Sequence, residues 1–184
     1  GGVVNLVSTP IPETSAGSLD MSYGQNNEMN MLANYGSRVG NLGFLLETAQ
    51  RRSDGYKDID RSSADTGFKI QDYVAKLGWE GERQSVLLKA QYSKERSDET
   101  YLGLTDDDFG RDADRRYGLS SIDNMKNDHE GYNATYRLAL RNNVSLTTTA
   151  YYNRFTRDWF KLAGGSGLVD GANRGDVNAE GILA

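Results

Sequence analysis

The stretch FKIQDYVAKLGWE (68–80), continued by GER (81–83) and QSVLLKAQYSKE (84–95), decides the fold. An apolar face holds Tyr73, Ala75, Leu77 and Trp79, and the opposite, mostly polar face holds Asp72, Val74, Lys76 and Glu80. A period of two rather than 3.6 indicates a β-strand. The second segment alternates in the same way, and the three residues between the segments include a glycine. The stretch therefore predicts a β-hairpin.

The same alternation recurs along most of the chain. It predicts seven strands and no helix, the other five strands beginning near Leu19, Met29, Leu42, Tyr132 and Val144. The mean hydropathy of -0.67 is low enough to raise the question of disorder, but eleven Tyr, five Phe and two Trp are too many for a solvating tail. With 21 Gly and only two Pro, the composition favours many strands joined by turns.

Composition also excludes several classes of function. The net charge of -5 is spread along the chain, which leaves no basic stripe for a nucleic acid. Cysteine is absent, so disulfides, zinc thiolates and thiol nucleophiles are excluded. His129 is the sole histidine, and no sequence motif supplies it with a serine nucleophile. The sequence therefore predicts that the chain is not an enzyme and holds neither a metal nor a cofactor.

One apolar and one polar face describe a soluble β-sandwich as well as a membrane barrel. Strand length and loop parity favour the barrel. Several predicted strands exceed about 12 residues, against a mode of roughly 5 to 6 in globular sheets. Short and long connections also alternate, as transmembrane barrels require. The short ones are 37–41, 81–83 and 142–143, and the long ones are 53–67, 97–128 and the segment from 162.

The opening GGVVNLVSTPIP (1–12) resembles the end of the plug domain of TonB-dependent outer-membrane transporters. In that family a glycine-rich turn and an N-[LIV]-V-[ST] strand precede a short linker into the barrel. The matching positions are Gly1, Gly2, Asn5, Leu6, Val7 and Thr9. The resemblance implies that residues 1–17 are the end of a plug and its linker, and that 18–184 are the first part of the barrel. The chain is then expected to be a fragment.

Two further segments carry the resemblance. QRRSDGYKDID (50–60) resembles the end of the family's third barrel strand, where [RQ]-x-S-[DE]-G-[FYW] leads into the second outer loop. YLGLTDDDFGRDADRRYGLSSIDN (101–124) resembles the third outer loop of the ferric-citrate receptor branch. The resemblance runs from Gly1 to about Leu162.

The resemblance implies an all-β fold, with about seven of roughly 22 strands of a large antiparallel transmembrane barrel. It also implies import of a ferric siderophore, such as ferric citrate, across the outer membrane of a Gram-negative bacterium. TonB would supply the energy through a plug segment that precedes Gly1. The partners are then the siderophore, TonB and outer-membrane lipid, with no nucleic acid.

Candidate substrate-binding residues lie in the third outer loop: Arg111, Arg115, Arg116, Tyr101 and Tyr117. Guanidinium groups match the carboxylates of an anionic ferric chelate, and the tyrosines can stack on a ligand ring. The alternative is that the arginines pair with aspartates of the same loop and the tyrosines pack it together. Membrane girdles are expected from Trp79, Tyr92, Tyr136 and Tyr152.

Two other functions fit parts of the pattern. A soluble or surface-attached β-module, such as an adhesin domain, would bury the two faces of its sheets against each other. A passive porin would share the strands but lack a plug. The opening segment separates the transporter from the porin, and loop parity separates both from the soluble module.

Overall fold

The computed structural model describes residues 8–141 and 143–184, so the expected plug strand at Gly1–Val7 lies outside the described residues. The strands are β1 (Ala16–Tyr23), β2 (Met29–Val39), β3 (Leu42–Ser53), β4 (Asp58–Ile59), β5 (Phe68–Glu80), β6 (Gln84–Ser97), β7 (Arg115–Arg116), β8 (Asn124–Arg141) and β9 (Val144–Phe160). The helices are α1 (Asp106–Arg111), α2 (Gly165–Asn173) and α3 (Val177–Leu183), with a 3-10 helix at Gly118–Ile122.

Seven long strands form one antiparallel sheet in the order β1-β2-β3-β5-β6-β8-β9, which confirms the predicted seven strands. Each strand pairs with its neighbour along the chain apart from the two short strands, β4 and β7. The predicted hairpin of β5 and β6 is present, with Gly81–Arg83 as its turn. β8 and β9 are the longest strands, at 18 and 17 residues.

The strand register assigns every side chain to one of two faces. One continuous row runs across six strands and consists of Tyr35, Leu46, Ala75, Ala90, Tyr132 and Tyr152. We call this the outer face, and the opposite one the inner face. The segment from Ser8 to Pro12 packs against the inner face, where Ile11 lies over Gly43 and Gly78.

The outer face is apolar and exposed. Leu46 and Leu77 in its centre are 57% and 61% accessible, although such side chains are usually buried in soluble domains. Within the described residues no second sheet covers this face. A β-sandwich would bury it, so the sandwich is not the observed architecture.

Connections alternate in length as predicted. The turns at 40–41 and 81–83 are short, and Asn143 lies in the turn after β8, while Asn142 falls outside the described residues. The long connections are the second loop (54–67) and the third loop (98–123). The third loop is shorter than the expected 97–128 because β8 begins at Asn124 and continues pairing with β6 as far as Ser97.

The prediction that the chain has no helix was wrong. Helix α1 lies inside the third loop, and α2 and α3 occupy the segment from 162 that was expected to be a loop. Capping explains two of them, since the side chain of Thr105 accepts from the Asp108 amide and Asp176 caps α3. These helices are too short for periodicity to reveal them. No helix in the described residues is long and apolar enough to cross a membrane.

Buried apolar residues are concentrated at the loop end of the sheet. A cluster there consists of Leu102, Tyr117, Ala172, Ala179 and Leu183. In the sheet itself Leu45 is buried on the inner face, in the row that contains Gly36 and Lys76. The structure thus has a packed loop region on a sheet whose own apolar face is uncovered.

Candidate functional site

The second and third loops are joined by backbone pairing, since β4 pairs in parallel with β7. The Asp58 amide donates to the Asp114 carbonyl at 3.0 Å, and the Asp60 amide donates to the Arg116 carbonyl at 2.9 Å. A side-chain bond adds to this, because Lys57 Nζ donates to Thr100 Oγ1 at 2.8 Å. Burial, together with the nearby Arg116 charge, lowers the pKa of Lys57.

Arg115 connects the two loops through its side chain. Its Nε lies 3.0 Å from both carboxylate oxygens of Asp60 in the second loop, and its Nη1 lies 2.8 Å from Asp108 Oδ1 in α1. The hydrogen bond with Asp60 raises the pKa of Arg115. A guanidinium shared by two carboxylates is a charge-assisted arrangement with fixed geometry. Arg115 is therefore already paired within the protein.

Tyr117 is the centre of the same loop region. Its ring is 1% exposed, and its hydroxyl donates to Asp108 Oδ2 at 2.7 Å. The Thr105 amide in turn donates to the Tyr117 hydroxyl at 3.1 Å. The Tyr117 hydrogen bond is the main reason why the pKa of Asp108 is lowered, and Thr105 and Arg115 act in the same direction.

Helices α2 and α3 pack against the two loops. We call the second loop, the third loop, α2 and α3 together the loop cap. Leu183 and Ala172 pack in the cluster that contains Tyr117. Asn173 Oδ1 accepts a hydrogen bond from the Asp106 amide at 3.0 Å. Three segments that are distant in sequence therefore form one packed unit.

A cleft of about 610 Å³ opens between α1 and the C-terminal helices. Its charged lining consists of Asp106, Asp107, Asp108, Glu180, Arg111 and Arg115. The side chain of Arg111 is 76% exposed and lies 3.5 Å from Asp108, so its ion pair is looser than that of Arg115 and most of its guanidinium faces solvent. The cleft matches the several hundred cubic ångströms that small-ligand sites occupy.

The predicted site residues are divided between three places. Arg111, Arg115 and Tyr117 line the cleft. Arg116 donates from Nη1 to the Ala113 carbonyl at 2.8 Å and does not line the cleft. Tyr101 is half exposed and forms an edge-to-face pair with Trp159 at 5.6 Å. Binding of a ligand by these five residues stays a prediction.

Four residues of this region were not predicted: Asp60, Trp159, Lys161 and Glu180. The ammonium of Lys161 lies 3.7 Å from the ring centre of Tyr101 and 3.8 Å from that of Trp159, a cation–π arrangement. The sequence signal that could have found this cluster is an aromatic residue near the end of a predicted strand, close to a lysine. Asp60 and Glu180 had no such signal, because their contacts cross between loops.

The inner face holds the segment that precedes β1. Lys76 is 6% exposed and donates to the carbonyls of Ser8, at 3.3 Å, and Thr9. Thr9 Oγ1 donates to Glu47 at 2.5 Å. Arg38 pairs with Glu13 at 3.3 Å and with Glu80 at 2.9 Å. The strand wall therefore binds this segment through charged groups as well as packing.

The predicted girdle residues lie in three rows of the outer face. Trp79 and Tyr136 flank Val86 in one row, near the short turns. Tyr92 lies six residues from Val86, about 20 Å along the strand. Tyr152 stacks on Tyr132 at 6.3 Å in the row of Ala90, which is two residues closer to Val86. Aromatic residues towards both ends of an apolar band are typical of a barrel in a membrane. Their contact with lipid stays a prediction.

The outer face has shallow apolar grooves between these aromatics, of about 590, 530 and 510 Å³. They face away from the inner wall and contain almost no polar atoms to orient a ligand. Among the described residues, no group of three or more histidines and carboxylates is placed to hold a metal ion.

No protein-family model and no curated protein matches the chain. Among solved structures, the chain is similar to the crystal structure of the siderophore receptor PiuA from Acinetobacter baumannii, with a TM-score of 0.68 and 13% sequence identity. The likeness covers 83% of this chain and 23% of the receptor's chain. It establishes the fold, which is part of an antiparallel β-barrel wall, as the sequence predicted.

Proposed function

We propose that this chain is part of an outer-membrane active transporter that imports a ferric siderophore and is energised through TonB. In this proposal residues 1–17 are the end of the plug and its linker, and 18–184 are the first part of the barrel. The cell compartment is the outer membrane of a Gram-negative bacterium. The fold likeness to a siderophore receptor and the sequence resemblance both support it.

The observation that carries the proposal is that the outer and inner faces of the same sheet differ in character. The outer face presents exposed leucines and tyrosines. The inner face binds the segment at Ser8–Pro12 through Lys76 and through Gly43 and Gly78, which leave room for Ile11 and which we call the glycine notches. A lipid-exposed wall with protein docked inside it is what a plugged barrel requires. A passive porin has no reason to hold the preceding segment against its wall.

For the substrate we propose an anionic ferric chelate of the ferric-citrate type. Arg111 supports this choice, because its guanidinium is exposed at the cleft and lies 3.5 Å from Asp108, whereas Arg115 is held within 2.9 Å of both Asp60 and Asp108. An aromatic siderophore would instead use the exposed Tyr101 beside Trp159.

The test is uptake of labelled ferric citrate by iron-limited cells in which the full-length protein containing this chain is the only receptor. Uptake is expected to require both the protein and TonB. Arg111→Gln is expected to raise the half-saturating concentration about tenfold, as for loss of one charged hydrogen-bonding partner. The matched control is Arg174→Gln, at an exposed arginine between α2 and α3 that does not line the cleft.

Each other outcome has a defined meaning. Uptake that persists without TonB would identify a passive pore. TonB-dependent uptake of an aromatic siderophore, but not of ferric citrate, would retain the transporter and reject the ferric-citrate assignment.

A further inference from the structure

The outer face carries an unbroken row of positive charge at the end of the sheet nearest the long loops. Arg52, Lys69, Arg96 and Lys126 are directly opposite one another on β3, β5, β6 and β8. Adjacent strands are about 4.8 Å apart, so these four residues, the basic row, extend over about 15 Å. All four are exposed, and Lys94 lies two residues from Arg96 on the same face.

The register fixes the side of the wall on which the basic row lies. Lys69 is four residues before Tyr73, and Arg96 is four residues after Tyr92, so both have the parity of the outward tyrosines. The only register shift between β8 and its neighbours lies at the far end, at Ala139–Arg141. The row is therefore on the outer face, about 13 Å along the strands from Tyr73 and Tyr92.

The basic row forms few close ion pairs within the protein. Across residues 8–141 and 143–184, no ion pair within 4.0 Å involves Arg52, Lys69 or Lys126, and Arg96 reaches only Asp98, at 3.9 Å. Like charges directly opposite each other in a sheet are destabilising. In the register Asp158 on β9 faces Lys126, and Asp128 faces Lys94. Arg52, Lys69 and Arg96 have no carboxylate directly opposite them, so these three charges are the ones that an anion from outside the chain would balance.

The inner face at the same level is arranged differently. There Arg51 pairs with Asp72 at 3.7 Å, and Arg157 donates to Asn127, which in turn donates to Glu95. Cations on the inner face are thus balanced within the wall. The imbalance belongs to the outer face alone.

We propose that the basic row binds the phosphate groups of anionic lipid headgroups in the leaflet nearest the long loops. The inference rests on the membrane placement in the proposed function. Lipid chains would contact the apolar band that extends from Tyr73 and Tyr92 towards the short turns. The lipid headgroups would then lie level with the basic row. Lysine and arginine reach such a layer readily, because their aliphatic stems lie along apolar surface while the charge stays in the polar zone.

The experiment reconstitutes the full-length protein into phosphatidylcholine vesicles that contain a minor fraction of phosphatidylglycerol. Native mass spectrometry then counts the lipids retained by the released protein. We expect phosphatidylglycerol to be enriched over its bulk fraction, and Lys69→Gln/Arg96→Gln to reduce that enrichment on the order of tenfold. The matched control is Lys89→Gln/Arg137→Gln, which removes one lysine and one arginine from the inner face and is expected to leave the enrichment unchanged.

Inorganic phosphate is the second arm, because a free anion carries the same chemistry as a headgroup. The proposal is supported if phosphatidylglycerol enrichment is lost in Lys69→Gln/Arg96→Gln, is kept in Lys89→Gln/Arg137→Gln, and resists millimolar phosphate. Equal enrichment in the two variants overturns it, and so does binding of inorganic phosphate without lipid preference. Failure to insert into any vesicle would overturn the proposed function and this inference with it. Normal insertion without phosphatidylglycerol enrichment would overturn the inference alone.

Discussion

At the scale of single residues, Tyr117 shows how one hydroxyl organises the loop cap. It is buried, donates to Asp108 at 2.7 Å and accepts from the Thr105 amide at 3.1 Å. Tyr117→Phe keeps the ring but leaves the Thr105 amide without its acceptor. It also removes one donor from Asp108, which keeps the Thr105 hydroxyl and Arg115. We expect the cap to lose about 1–2 kcal/mol, measured as faster hydrogen exchange at the Thr105 amide. Tyr101→Phe, at a half-exposed ring, is the control and should leave this exchange unchanged.

The carboxylate of Asp108 makes the cap sensitive to acid. Its pKa is lowered chiefly by the Tyr117 hydrogen bond, so ionised Asp108 stabilises the folded cap at every pH above the ordinary value of about 3.9. That contribution is lost as the pH falls from there through the lowered pKa. The protection factor of the Thr105 amide, which is its intrinsic exchange rate divided by the observed rate, should therefore fall below about pH 4. In Tyr117→Phe this pH dependence should be weaker. An unchanged pH profile of exchange at the Thr105 amide would show that Tyr117 does not lower the pKa of Asp108.

Arg115 provides the second residue-scale prediction. Arg115→Gln leaves Asp60 without a guanidinium and leaves Asp108 with only Arg111, at 3.5 Å. Both carboxylates are less than a quarter exposed. We expect loss of about 1–2 kcal/mol from the contact between the two loops, after discount for solvent screening. Limited proteolysis within 54–67 should become faster, whereas Arg174→Gln should resemble wild type. Equal cleavage of both variants would mean that β4–β7 pairing alone holds the loops.

Sequence reasoning at this scale succeeded only in part. It singled out Arg115 and Tyr117, and it offered pairing with aspartates of the same loop as the alternative to ligand binding. It did not predict Asp60, because 55 residues separate that carboxylate from Arg115. Long-range pairs between loops leave no periodic trace, since periodicity reports only which face of an element a residue occupies.

At the scale of elements, the strands followed from alternation and the helices did not. β5 runs from Phe68 to Glu80, which are the limits of the quoted stretch. Alternation over a dozen residues is a strong signal, because each strand must keep one face apolar. Helix α1 has six residues and depends on one capping threonine, and such a short element gives periodicity too little length to detect.

The docking of the preceding segment onto β3 and β5 is an element-scale property. A β-carbon at Gly78 would lie 2.9 Å from Ile11, and one at Gly43 would lie 2.8 Å from the same side chain. Gly78→Leu should therefore displace Ile11 from the wall and expose Lys76. We expect faster protease cleavage within residues 8–15 of the membrane-inserted protein. Ala75→Leu, on the outer face of the same strand, is the control.

That experiment separates docking from strand stability. Cleavage within 8–15 that increases in both variants would indicate general loosening of β5. Unchanged cleavage in Gly78→Leu would mean that the hydrogen bonds of Lys76 and the ion pairs of Arg38 hold the segment without the glycine notches.

At the scale of the whole molecule, the distribution of exposed apolar surface sets what the chain can do alone. Leu19, Leu46 and Leu77 on the outer face are 57–62% accessible, and all residues of the edge strands β1 and β9 are exposed. Unpaired strand edges and contiguous apolar surface both promote association. The sequence predicted this distribution through its two-faced strands, but not the packed cap that the loops form with α2 and α3.

The chain expressed by itself should therefore not behave as a stable soluble monomer. The loop cap buries a small cluster around Tyr117, whereas the sheet leaves its apolar face and both edges open, so association removes more apolar surface from water than folding alone. We expect aggregation in detergent-free buffer and no cooperative thermal transition by circular dichroism, with β-structure retained in detergent micelles. A cooperative transition from a monomer in plain buffer would contradict both this expectation and the membrane placement, because the outer face would then tolerate water.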